Sequence, residues 1–286
     1  MKIGIGLPNT TLGLPGETLR AWGPAAEARG FSSLATLDRI IYPSDDSLAV
    51  LAAAAGATER IGLLTNILIE PLYDPVVLAK QAATIDRVAG GRLTLGLGVG
   101  GRQDDFELLQ RSFPDRGRRL DQDLELMHRI WAGEPVAGGH FAVAAAPPKG
   151  HVPLLIGGRP ELAGPRAARW NAGFTIGGAP PEAVAGIVSA FKAAYEGAGG
   201  VGEPRIVVLS YFSLGEKHVE ESVHNLRTYY GFLGEWVDAI ANGAPRTPEA
   251  VSKVVAAFAE LGIDELIMDP TVPHLDQIEL LADLVL

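Results

Sequence analysis

The glycine-rich segment Gly96–Gly101 is the first candidate for a binding site in the sequence. It reads G-x-G-x-x-G between an apolar strand and a helical segment, as dinucleotide-binding loops do. However, it lies at the fourth predicted strand, and the next strand does not end in the acidic residue that a ribose-binding fold needs. Glycines at a strand end also let a bound group approach the backbone, and we predict that role for Gly98, Val99 and Gly100. Tight packing of the strand against a helix explains these glycines equally well.

A second candidate, Gly157-Gly158-Arg159, ends an apolar run and precedes Pro160 at the start of a helix. Backbone N–H groups at a helix start suit a phosphate, and a guanidinium adds a matching positive charge. We therefore predict that these three residues contact an anionic group. Arg118 is a weaker candidate, because its position fits the solvent-facing side of a helix.

Asp38 and Arg39 end the second predicted strand and are the candidate catalytic residues. A carboxyl group exchanges protons, whereas a guanidinium stays protonated near neutral pH and cannot act as a general base. Arg39 is suited instead to pairing with an anionic ring or substrate. A surface ion pair between the two side chains is the alternative.

The sequence shows no pattern of metal ligands. It has no cysteine, which excludes disulfides, thiolate metal sites and a cysteine nucleophile together. His218, His224 and His274 lie in polar, helical segments, where we expect them to be solvated. We therefore predict no metal site.

Eight short apolar segments alternate with longer segments of helical period, which is the pattern of β-α units on a parallel sheet. A closed barrel has no edge strands to protect, and this favours a (β/α)8 TIM barrel over an open doubly wound sheet. We predict one barrel domain over residues 1–286, with insertions after strands 4 and 7 and with an aromatic helix in the second insertion. The predicted strands are Ile3–Leu7, Ser33–Leu37, Ile61–Leu68, Leu93–Leu97, Val152–Ile156, Phe174–Ile176, Ile206–Ser210 and Glu265–Met268.

The acidic composition limits the possible partners. The chain has 34 acidic and 24 basic residues and a formal net charge of -10. Nucleic acids and anionic membrane surfaces attract basic proteins, so neither is expected as a partner. The sequence has no apolar run of membrane-spanning length and no signal-peptide pattern at Met1, and a cytoplasmic location is expected.

The run from Ala57 to Gly98 resembles luciferase-like monooxygenases. It contains Thr65-Asn66-Ile67, the helix sequence Asp74-Pro75-Val76-Val77-Leu78-Ala79-Lys80-Gln81-Ala82-Ala83, and Gly90-Gly91-Arg92-Leu93 before the glycine-rich strand end. Weaker similarity covers almost the whole chain. The resemblance implies a (β/α)8 barrel that binds FMN or coenzyme F420 at the carboxyl ends of its strands.

The resemblance also implies roles for individual residues. A non-proline cis peptide between Asn66 and Ile67 would lie beside the flavin ring, with a plain β-bulge as the alternative. Gly98 to Gly100 would face the ring or its ribityl chain, and Gly157 to Arg159 the phosphate. Two positions depart from the family pattern. Arg159 stands at or near a position where the family often has serine, and Arg39 stands where many F420-dependent relatives have histidine.

We therefore expect a flavin-dependent oxidoreductase, a monooxygenase that uses reduced FMN and oxygen on a small organic substrate. A separate flavin reductase and a homodimeric assembly are expected with it. Hydride transfer with F420 and a non-catalytic flavin-binding protein are the alternatives, and Arg39 favours FMN over F420. An isomerase or aldolase on the same fold is disfavoured, because Lys80, Lys149 and Lys192 lie in helices or loops that suit no Schiff base.

Overall fold

Eight parallel strands close into a barrel in a computed structural model that describes residues 1–136 and 138–286. Each strand pairs with the next along the chain, and β1 also pairs with β8, with Lys2 opposite Glu265 and Ile5 opposite Met268. The predicted (β/α)8 barrel is confirmed, and each predicted strand end lies within two residues of the observed one. The strands are β1 (Lys2–Gly6), β2 (Ser33–Thr36), β3 (Gly62–Ile69), β4 (Leu93–Gly98), β5 (Leu154–Gly157), β6 (Gly173–Ile176), β7 (Ile206–Phe212) and β8 (Glu265–Pro270).

Three helices begin at a side chain that caps them. The Asp74 side chain accepts hydrogen bonds from two backbone N–H groups at the start of the helix Pro75–Val88, and Pro75 occupies the first helical position. Asp46 and Thr247 each accept one such hydrogen bond, at the starts of the helices Ser47–Ala57 and Pro248–Glu260. The helices are α1 (Gly16–Arg29), α2 (Ser47–Ala57), α3 (Pro75–Val88), α4 (Gln103–Leu108), α5 (Arg116–Trp131), α6 (Pro160–Trp170), α7 (Pro181–Gly197), α8 (Val219–Tyr230), α9 (Val237–Gly243), α10 (Pro248–Glu260) and α11 (Asp276–Val285).

Side chains fill the interior of the barrel, so a ligand must bind at one of its ends. A small cluster of fully buried residues lies inside the strands and comprises Ala35, Leu64, Leu155, Val207 and Ile267. A much larger apolar cluster packs the outer faces of the strands against the helices. Such barrels carry their binding residues on the loops that follow the carboxyl ends of the strands.

The connection between β7 and β8 covers part of the carboxyl end. It contains the 3₁₀ helix Glu216–His218, then α8, then the 3₁₀ helix Gly231–Trp236, followed by α9 and α10. The predicted aromatic helix is interrupted here, because α8 ends at Tyr230 and Gly234 has non-helical dihedral angles. No helix among the described residues has both the length and the apolar character to cross a bilayer.

Candidate active site

Two regions of different character share the carboxyl end of the barrel. The open half consists of the ends of β3 to β6, where Gly158 and Gly177 are exposed and Ile67 and Val99 are half-buried. The covered half consists of the ends of β7, β8, β1 and β2, which lie beneath α8. The sequence-predicted cofactor residues all fall in the open half.

The end of β3 has an irregular backbone. The Asn66–Ile67 peptide bond is cis, as the family resemblance implies, and the pairing of β3 with β4 shifts register between Thr65 and Leu68. Hence the cis peptide and the bulge, predicted as alternatives, are both present. The Asn66 amide oxygen accepts a 2.5 Å hydrogen bond from Thr175 Oγ1. Its buried Nδ2 donor finds no partner among the described residues.

The glycines of β4 and β5 accommodate side chains from β3. A Cβ atom at Gly98 would lie 2.1 Å from Cδ1 of Ile67, and one at Gly157 would lie 3.2 Å from the same atom. Gly100 has φ +72°, and a Cβ there would lie 2.5 Å from Ile69. The glycine-rich motif therefore has a packing role, chiefly against β3, and Gly100 also faces Phe106 of α4. This packing leaves Ile67 as part of the floor of the open half.

Arg159 lies at the start of α6 with its side chain 74% exposed. Its guanidinium is 3.8 Å from the Glu161 carboxylate, and nothing lies within 4 Å of the Cβ position of Gly158. Pro160, the first residue of α6, has no N–H, so an anion here would depend more on the guanidinium than on the backbone. Arg118 is 71% exposed and pairs with Asp115, as expected for a surface helix residue.

Asp38 connects the ends of β2 and β3. One carboxylate oxygen accepts a 2.9 Å hydrogen bond from the Ile69 N–H, and the other accepts a 3.0 Å hydrogen bond from the Tyr73 hydroxyl. Burial raises the pKa of Asp38 to about 6, although both hydrogen bonds oppose this shift. A group with this pKa exchanges protons readily near neutral pH.

Arg39 points away from Asp38 and into an aromatic cluster. Its guanidinium donates a hydrogen bond to the backbone carbonyl of Tyr229. It also lies 4.6 Å from the ring centre of Tyr42, 4.9 Å from that of Tyr229 and 5.4 Å from that of Phe232. The alternative of a surface Asp38–Arg39 ion pair is wrong. Sequence reasoning missed these contacts, although the aromatic segment after β7 was the available signal.

The covered half encloses a cavity of about 20 Å³, room for about one water molecule. Asp269, Tyr211 and Tyr229 contribute to its lining. Burial raises the pKa of Asp269 well above its usual range and so favours the protonated form of this carboxyl group. The Tyr211 hydroxyl lies 2.5 Å from that of Tyr230 at the end of α8.

Gly6 makes room for Asp269 at the end of β8. A Cβ atom at Gly6 would lie 1.9 Å from the Asp269 carboxyl oxygen. Sequence analysis did not single out Asp269, although an acidic residue that ends an apolar strand was the available signal.

The family model described as luciferase-like monooxygenase matches residues 1–265. The chain belongs to the luciferase-like monooxygenase family. Among its relatives is an uncharacterized protein of Mycobacterium tuberculosis, 30% identical over 228 residues, which covers 69% of this chain and 79% of the relative.

Solved structures share the fold at low sequence identity. An F420-dependent secondary alcohol dehydrogenase superposes with a TM-score of 0.80 at 20% identity, covering 99% of this chain and 98% of the other. The oxygenating constituent of 3,6-diketocamphane monooxygenase from Pseudomonas putida, in complex with FMN, superposes with a TM-score of 0.76 at 17% identity. The superposition covers 100% of this chain and 97% of the other. The chain is thus an enzyme of a family whose structural neighbours bind FMN or F420.

Proposed function

We propose that the protein is a monooxygenase that uses reduced FMN and oxygen to oxidise a small organic substrate. The observation that carries the proposal is the combination of two surfaces at one barrel end. The open half is poor in side chains, whereas the covered half contains a buried carboxyl group, whose raised pKa favours the protonated form, and tyrosine hydroxyls. A flat cofactor suits the first surface, and a small substrate bound beside the cofactor would meet the polar groups at the edge of the second.

The residues of the open half fit a flavin. The buried Asn66 Nδ2 of β3 finds no partner within the described part of the chain, and neither does Thr36 Oγ1 at the end of β2, on the border between the two halves. The edge of a flavin ring carries carbonyl and nitrogen acceptors that these donors would satisfy. Ile67 and Val99 offer an apolar face, and Arg159 offers a charge for the phosphate. Asn66, Ile67, Gly98 to Gly100 and Gly157 to Arg159 would hold the cofactor.

FMN supplies the redox chemistry when bound, and the protein supplies position, protons and exclusion of water. Asp38 would exchange a proton near neutral pH, because its pKa is about 6. Asp269, whose raised pKa favours the protonated form, would donate a hydrogen bond to an oxygen atom of the substrate. Arg39 holds Tyr229 over the covered half and so restricts access of water to it.

Hydride transfer with F420 is the second candidate. Its support is that the strand ends of the open half would serve a deazaflavin equally well. Arg39 weighs against it, because its guanidinium cannot accept or deliver a proton near neutral pH and is engaged by aromatic rings. The proposed homodimer and the separate flavin reductase are tested by light scattering and by reconstitution with a reductase.

Titration of the purified protein with FMN, riboflavin and F420, each oxidised and reduced, tests the proposal. We expect reduced FMN to bind most tightly, followed by oxygen-dependent substrate oxidation. Absence of binding below about millimolar for every cofactor contradicts it, since such affinities correspond to only about 4 kcal/mol. Tighter binding of F420 than of FMN supports the second candidate instead.

Two pairs of matched variants locate the site. Gly177→Leu adds bulk to the open half, whereas Gly186→Leu adds it to the exposed face of α7, and nothing lies within 4 Å of either Cβ position. Only Gly177→Leu should weaken cofactor binding.

Arg159→Ala should lower FMN affinity about tenfold and leave the affinity for riboflavin unaffected, in line with loss of one charge-assisted hydrogen bond. Arg118→Ala, which removes an equally exposed arginine, should change neither.

A further inference from the structure

Three side chains with metal-ligating atoms meet outside the barrel mouth. His218 ends the 3₁₀ helix after β7, Glu221 lies in the first turn of α8, and His274 precedes α11. Glu221 and His274 are 53 residues apart in the sequence. The expectation that His218 is solvated is wrong, because it is only 5% exposed. The pair of His218 and Glu221, three residues apart on the chain, was the sequence signal for this cluster.

The ligating atoms are close to the spacing of a metal site. His274 Nε2 lies 2.7 Å from Glu221 Oε2, and His218 Nδ1 lies 3.7 Å from the same oxygen. One atom from each of the three residues lies within 4.8 Å of the other two. Ligands bound tetrahedrally to Zn²⁺ at their usual distances are about 3.4 Å apart. Small rotations of these side chains would therefore bring all three onto one ion.

Asp276 supplies the outer support that a metal-bound histidine normally has. The second nitrogen of His218, Nε2, lies 3.5 Å from the Asp276 carboxylate. The contact engages Nε2 of His218, while Nδ1 of the same ring faces Glu221. A carboxylate behind a ligating imidazole is a recurrent arrangement in zinc sites.

We infer that His218, Glu221 and His274 form a binding site for Zn²⁺. Two imidazoles and one carboxylate favour zinc over Ca²⁺ or Mg²⁺, which prefer oxygen ligands alone. Three protein ligands leave the fourth position to water. Glu221 and Asp276 bring two negative charges and Lys217 brings one positive charge, so a divalent cation meets a favourable field. This reverses the sequence-based expectation of no metal site and does not depend on the proposed function.

The ion fastens α8 to the loop after β8. On another side of α8, Ser222 lies 2.7 Å from Thr271 Oγ1, and Asn225 donates a 3.0 Å hydrogen bond to the Thr271 carbonyl. The last residues of α8, Tyr229 and Tyr230, cover the barrel mouth. Zinc bound outside the barrel mouth therefore stabilises the position of α8, and with it the two tyrosines that cover the mouth.

Calorimetric titration of chelator-treated full-length protein with Zn²⁺ tests the inference. We expect one ion per chain with a dissociation constant of about 10 µM or lower. His274→Gln and Glu221→Gln should lose about 100-fold or more in affinity, and Asp276→Asn about 10-fold. His274 is half-exposed, so its variant should fold even if a change at buried His218 does not. His224→Gln, at an exposed position on the same helix, is the matched control and should bind as the wild type does.

Two further measurements distinguish the outcomes. Co²⁺ should give the visible absorption of a nitrogen-ligated site in the wild type and in His224→Gln, but not in His274→Gln. Zn²⁺ should slow amide hydrogen exchange in α8. Undetectable zinc binding, or equal affinity in His274→Gln and the wild type, overturns the site. Binding that leaves exchange in α8 unchanged overturns its role in fastening the helix.

Discussion

Strand β8 carries two buried carboxyl groups whose pKa values are shifted in opposite directions. Glu265, at the amino end, accepts hydrogen bonds from Ser32 and Ser33 and pairs with Arg205. Burial alone would raise its pKa, but these partners bring it below the usual value. Asp269, at the carboxyl end, has its pKa raised by burial, and no group among the described residues offsets the shift.

The contrast shows how the barrel separates stability from chemistry. At the amino end of β8 the charge of Glu265 is fully paired, whereas at the carboxyl end of the barrel Thr36 and Asn66 have polar atoms without partners among the described residues. Unsatisfied groups with shifted pKa values cost stability and mark sites where a ligand completes the structure. The same strand thus serves the fold at one end and the site at the other.

The largest expected effect is at the amino end. Glu265→Ala should lower the free energy of unfolding by about 3 kcal/mol, because it removes the acceptor for the hydroxyls of Ser32 and Ser33 and the partner of Arg205. Urea unfolding at pH 7 measures the loss. An equal loss of unfolding free energy in Asp269→Asn would contradict the contrast between the two ends of β8.

Asp269→Asn should have the opposite sign, a gain of about 1–2 kcal/mol at pH 8. A folded-state pKa above the unfolded value means that the folded protein binds an extra proton, so wild-type stability falls as pH rises above about 4. The variant lacks this fall, and its advantage should shrink toward pH 4. Urea unfolding over pH 4–8 checks the slope, and parallel curves for both proteins count against an unsatisfied Asp269.

Removal of the contacts between Arg39 and the aromatic residues over the barrel mouth should have a smaller effect, limited to that segment. Arg39→Ala removes contacts with Tyr42, Tyr229 and Phe232, each cation–π contact being worth about 0.5–1 kcal/mol. Amide hydrogen exchange in residues 229–236 should accelerate about fivefold or more, with no change at the start of β8. Arg159→Ala, at the open half, is the control, and equal acceleration there would argue against a specific cover.

The smallest effect is expected at Asp38. Its pKa of about 6 lies above the unfolded value, so its contribution to stability declines as pH rises from about 4 to about 6. Asp38→Asn should remove a shallow step of less than about 1 kcal/mol, because the side chain is only partly buried and the surrounding water screens the effect. Thermal unfolding between pH 4 and 7 measures it. If the decline in stability is the same in Asp38→Asn as in the wild type, another group causes it.

Local signals predicted the elements, and long-range contacts decided the site. Helix α3 could be bounded in advance, because Asp74 and Pro75 act within one turn of the chain. In contrast, Arg39 meets Tyr229 from 190 positions away, a contact that no local pattern encodes. The role of Gly98 was predicted only as two alternatives, because its partner Ile67 belongs to a different strand.

The sequence alone determined the eight β-α units, the barrel and the family, because periodicity, caps and the Ala57–Gly98 run are contiguous in the chain. Only the tertiary structure decided which carboxyl groups are satisfied, where the guanidinium of Arg39 points, and that His218 and Glu221 meet His274. Burial and the approach of distant side chains set those properties, and both arise only when the barrel closes.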